Sequence, residues 1–116
     1  MTPQEIQEYR KVSAEVLGHK DISEPKATAI IVLIDGVIYE WQPDLDANQM
    51  LMVWDWIIDQ GGDIRFRLSW WFGKRENKRP ENIFELYSKG KFTGENSDIR
   101  LATAKAFMTY YKTTNQ

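Results

Sequence analysis

Residues 44–72 read DLDANQMLMVWDWIIDQGGDIRFRLSWWF, and a single change of hydrophobic period inside this stretch decides the fold. Met50, Val53, Trp54 and Ile57 recur at helical spacing and make one apolar stripe. Asp46 is the N-cap of that helix, and Gln49, three residues on, is placed to reach back as in a capping box. Gly61-Gly62 ends the helix, because glycine enters the left-handed conformation without a Cβ penalty. Beyond it the period becomes two. Ile64, Phe66, Leu68 and Trp70 alternate with Arg65, Arg67, Ser69 and Trp71, which predicts a strand over 64–72 with one apolar face. A lone helix and strand leave their apolar faces bare, so the flanking segments must cover them.

Upstream, Thr2-Pro3-Gln4-Glu5 starts a helix, with Thr2 as cap, Pro3 in the first turn and Glu5 completing a capping box. Its inner stripe is Ile6, Tyr9, Val12 and Val16, and Gly18 closes it. Residues 19–26 read as a polar connector. Residues 27–34 are apolar on both faces and β-branched, the pattern of a central strand covered on two sides. Asp35-Gly36 is a type I′ hairpin signal, and Val37, Tyr39 and Trp41 return on one face of the partner strand. Downstream, 73–80 is a charged loop, Asn82 to Tyr87 a short strand, Lys89-Gly90 a turn, and Lys91-Phe92-Thr93 a scrap of edge strand. Ser97 caps a last helix, with Asp98 set against its N-terminal dipole. The several alanines of that helix predict close packing on a sheet. The expected architecture is α+β: one domain spanning 1–116, an α-β-α sandwich with a central, mostly antiparallel sheet of four to five strands and three helices. The expected core holds Ile30, Val32, Val53, Trp54, Phe66, Leu68 and Phe107.

With this order of elements, the segment from Pro43 to Trp54 and the closing helix Ser97-Asp98-Ile99-Arg100-Leu101-Ala102-Thr103-Ala104-Lys105-Ala106-Phe107 resemble the phage ABA-sandwich domain family of small phage and prophage proteins. The resemblance covers most of the chain. It implies an α-β-α sandwich and a phage-encoded origin, and it carries no catalytic residue.

Composition narrows the functional classes. Net charge is −2 over 116 residues, so no global field draws the chain to nucleic acid or an anionic membrane. Without cysteine there are no disulfides, thiolate metal sites or cysteine nucleophiles. No apolar run reaches the ~20 residues of a membrane span. The expectation is a soluble protein of the host cytoplasm. His19 is the sole histidine and is read as a solvated residue at a helix end rather than a catalytic group. Asp44, Asp46, Asp55 and Asp59 are read as a cap and a solvated helix face rather than a cation site. No enzymatic activity and no cofactor are expected.

One basic and aromatic group stands out. Arg65, Arg67 and Trp71 share a strand face, and Lys74, Arg75, Lys78 and Arg79 follow in the loop. Such residues anchor protein interfaces, where Trp and Arg dominate the binding energy. They also suit single-stranded nucleic acid, which stacks on aromatics beside a basic groove. Overall acidity favours the protein reading. The expected function is a phage or prophage accessory protein that binds, and inhibits, a host factor such as a defence protein. The alternative is a single-stranded nucleic-acid binder. The apolar run Trp70-Trp71-Phe72 predicts a homodimer with Trp71 near the contact.

Overall fold

The computed structural model describes residues 1–69 and 81–115. They run α1 (Pro3–Val16), β1 (Lys20–Asp21), β2 (Ile31–Ile34), β3 (Val37–Glu40), α2 (Ala47–Asp59), β4 (Asp63–Ser69), β5 (Glu81–Tyr87), β6 (Lys91–Asn96) and α3 (Ile99–Thr114). The strands form two antiparallel three-stranded sheets, in the orders β1-β2-β3 and β4-β5-β6. The α+β class stands. The single sheet of four to five strands does not, because each half of the chain completes its own ladder. The connector expected at 19–26 supplies β1, and the scrap expected at 91–93 is a full strand of six residues. The chain divides into two compact units, Met1–Trp56 and Ile57–Gln116, with the division falling inside α2.

In the first unit the Thr2–Glu5 capping box is closed in both directions, at 2.9 and 3.1 Å. The buried residues of α1 are Tyr9, Ser13 and Ala14, whereas Ile6, Val12 and Val16 are half-buried. A serine takes the centre because it serves Trp41. The Trp41 indole N–H donates to Ser13 Oγ at 2.9 Å, and Ser13 donates to the Tyr9 carbonyl at 2.6 Å. Trp41 is thereby fully buried with its one polar atom satisfied. Arg10 grips Asp44 through two hydrogen bonds, at 2.7 and 2.9 Å, and Asp44 is almost wholly buried. The hairpin turn is as expected, with Asp35 at φ 49° and Gly36 at φ 80°. Ile30, Val32 and Trp41 lie inside. The opposite face of β2 is a correction. Ile31 and Leu33 are half-buried and Ile38 beside them is 65% exposed, so among the described residues this second face is covered only in part.

Along α2, Met50, Val53 and Ile57 are buried, and Trp54 is half-buried rather than central to the core. Asp46 caps the helix by accepting the Gln49 N–H at 3.1 Å. The Gln49 side chain, however, does not return to Asp46. It accepts from the Gln42 N–H at 2.7 Å and donates to the Glu40 carbonyl at 3.0 Å.

In the second unit α3 lies on β6 and β5. A Cβ placed on Gly94 would sit 2.0 Å from the Ala102 carbonyl oxygen, so helix and strand touch backbone to backbone. Ala102, Ala104, Ala106, Phe107 and Met108 are buried in the same helix. Its N-cap is Asp98 rather than Ser97. The Asp98 carboxylate accepts the Arg100 N–H at 2.9 Å and also receives the Arg100 guanidinium. Phe66 is the clearest correction to the expected core. It pairs with Phe84, which pairs with Gly94, so all three share one sheet face. Helix α3 packs over β5 and β6, which leaves Phe84 fully buried and Phe66, on the outer strand, 60% exposed. The side chain of Leu68 lies outside the described residues.

Candidate binding face on β4, β5 and β6

Of the expected site residues, Arg65 and Arg67 are described. Trp71, Lys74, Arg75, Lys78 and Arg79 lie outside the described residues. Arg65 and Arg67 emerge on the sheet face opposite α3, and their side chains are 72% and 67% exposed. The antiparallel register adds neighbours to them. Asp63 stands opposite Tyr87, and Tyr87 opposite Lys91; Arg65 stands opposite Glu85.

These neighbours interact along the diagonals of the ladder, where long side chains reach one another. Arg67 lies 3.4 Å from Glu85, and Lys91 lies 3.5 Å from the same carboxylate. Tyr87 donates its hydroxyl to Glu85 at 2.7 Å. The Arg65 guanidinium stands 5.4 Å from the centre of the Tyr87 ring, and the Lys91 ammonium 6.0 Å from it, both within reach of a cation–π attraction. The Tyr87 hydrogen bond foremost, with Lys91 and Arg67 adding to it, holds the Glu85 carboxyl below its ordinary value. A pocket of about 360 Å³ is lined by Arg65, Phe66, Arg67, Glu85 and Lys91.

Glu85, Tyr87 and Lys91 are the members that sequence reasoning missed. The alternation Ile83, Glu85, Tyr87 was visible. Which residues of β4 they meet depends on register, and a long connection such as 70–80 does not fix register as a two-residue turn does.

His19 departs from its expected solvated state. Its ring packs edge-on against Trp41, with centroids 4.6 Å apart, and its Nε2 is buried with no hydrogen-bond partner among the described residues. Burial lowers its pKa. Asp44 is taken by Arg10, while Asp55 and Asp59 are exposed on α2. Among the described residues no group of three histidines or carboxylates is arranged to hold a metal ion, and no helix is long and apolar enough to cross a membrane.

Comparison of the chain with family models, with curated proteins and with solved structures finds no match.

Proposed function

We propose that this chain is a phage or prophage accessory protein without catalytic activity, which binds a host protein through the charged face of β4, β5 and β6. The α-β-α sandwich and the phage origin in this reading rest on the family resemblance. The interface rests on one observation: the charges of this face are interleaved. Arg65, Arg67 and Lys91 alternate with Asp63, Glu85 and Glu95, so the described side chains carry no net charge. A polyanion needs an excess of cations whose counterions it releases. A protein partner instead presents both signs and gains specificity from matching them. Arg and Tyr held in a fixed geometry are the residue types that dominate such contacts.

A nucleic-acid reading is kept for the Arg65–Tyr87 stack, a platform on which a base could lie. Ionic strength separates the two. Retention of a host protein from lysate that survives moderate salt, and is lost in the Arg65→Ala/Arg67→Ala double variant, supports the protein reading. Tight binding to single-stranded DNA or RNA that fades steeply with salt would replace it.

Self-association belongs to the same proposal, as a twofold dimer with Trp71 near the contact. Light scattering at micromolar concentration should give twice the chain mass of 13.6 kDa. A clean monomer would remove the dimer and leave the binding face untouched.

A further inference from the structure

Strand β3 is the outer strand of the first sheet, and its hydrogen-bonding edge can be read residue by residue. The Trp41 N–H donates to the Ile30 carbonyl at 2.7 Å, so Val37, Tyr39 and Trp41 turn their backbone groups toward β2. Ile38 and Glu40 therefore turn theirs away. The Glu40 carbonyl confirms this direction, because it meets the Gln49 side chain from outside the sheet. Gln49 fills the far end of the edge as a neighbouring strand would, taking the Glu40 carbonyl and the Gln42 N–H. It stops there. The N–H and carbonyl of Ile38 and the N–H of Glu40 have no partner among the described residues. All four residues of β3 are exposed, Ile38 more than Val37 or Tyr39. An open edge of this kind is a template for another strand.

The surroundings say which strand. Along the inner side of this edge lies a pocket of about 390 Å³, lined by Ile34, Asp35, Tyr39, Asp46, Asn48, Gln49 and Met52. Its lining holds two carboxylates and no cation. The Asp46 carboxylate caps α2, and neither it nor Asp35 has an ion pair among the described residues, while Glu40 acts electrostatically on Arg10. In an added antiparallel strand, the residues opposite Val37 and Tyr39 point to the pocket side, and the residue opposite Ile38 points to the apolar outer side. A second copy of β3 would set its own Asp35 and Glu40 against the same charges, which opposes self-pairing.

We infer that β3 is a docking edge for an extended peptide segment in which Lys or Arg alternates with apolar residues. The backbone of the segment pairs with the N–H and carbonyl of Ile38 and with the N–H of Glu40. Its cationic side chains enter the pocket beside Asp35 and Asp46, and its apolar side chains lie against Ile38. This edge is in the first unit and is independent of the Arg65–Arg67 face.

The test uses the full chain and two short capped peptides, one alternating Val with Lys and one alternating Val with Glu. Titration followed by backbone amide resonances should show the Lys peptide shifting and protecting the Ile38 and Glu40 amides, with the Glu peptide at least tenfold weaker. Ile38→Pro removes an N–H that β2 does not use, so the hairpin survives and the Lys peptide is lost. Asp35→Asn keeps a residue that accepts the turn conformation and should weaken the Lys peptide roughly fivefold, which guards against a proline variant that fails to fold. Equal binding of both peptides, shifts confined to the β4–β6 face, or no binding at millimolar peptide would overturn the inference. So would a dimer abolished by Ile38→Pro in a protein that ignores the peptide. Loss of Arg65 and Arg67 must leave the Lys-peptide response unchanged.

Discussion

Trp41 and Trp54 each follow an apolar residue at the spacing of their own element, Tyr39 two before in the strand and Met50 four before in the helix, yet their environments differ. Trp41 is fully buried, with His19 against its ring and Ser13 on its indole nitrogen. Replacing it with Ala should cost about 3–5 kcal/mol, the range for deleting a buried aromatic. Trp54 is only half-buried, so its Ala variant should lose about half as much. Urea midpoints of the two variants check the order; a Trp54 variant at or below the Trp41 variant's stability would reverse the assignment. Arg10 and Asp44 carry the same lesson. Asp44 sits in a run of aspartates that reads as a solvated helix start, and only the fold brings Arg10 of α1 to it.

At the scale of elements, α3 and β6 owe their closeness to Gly94. Any Cβ there meets the Ala102 carbonyl and, at 2.8 Å, the Ala106 nitrogen. Both are helix backbone and cannot swing aside as a side chain would. Gly94→Ala should therefore destabilise by about 3 kcal/mol or more, well beyond the few tenths typical of a surface strand site. Thermal or chemical denaturation measures it, and an unchanged midpoint would mean that helix and strand lie further apart. The same contact explains why alanines crowd α3, where the buried Ala102 and Ala106 leave room for the strand.

For the molecule as a whole, stability should fall in two stages as the pH drops. His19 has a folded pKa below its ordinary 6.5, so the unfolded chain binds the proton first. Its contribution is complete above about pH 6.5 and is lost as the pH falls from there toward the folded value. Asp21, Glu85 and Asp98 have folded values below the ordinary carboxylate range. The leading causes are hydrogen bonds from Ser23, Tyr87 and Arg100 respectively. Their contribution is complete above about pH 4–4.5 and is lost below it, as the pH falls through the folded values. Thermal midpoints across pH 3–8 should show both stages. A His19→Phe variant should keep the lower stage and lose the upper one. An upper stage that persists in that variant would assign it to another group.

The helices, the hairpin and the glycine stops were legible in the sequence because each rests on neighbours within a turn or two. Thr2 and Glu5, Asp35 and Gly36, and the stripe Met50–Val53–Ile57 need no distant partner to be read. What the sequence left open were relations across distance. Phe66 has the alternation of a core residue, but its burial depends on which strands α3 covers. Gln49 has the spacing of a capping box, but a better pair of partners waits at the end of β3. Arg65 and Arg67 were visible as candidates, while Glu85, Tyr87 and Lys91 joined them only through the register of two strand pairs. Local hydrogen bonding and period are written in adjacent residues. Register, coverage and charge pairing are set by whichever long-range packing lowers the free energy of the folded chain, and that choice exists only in three dimensions.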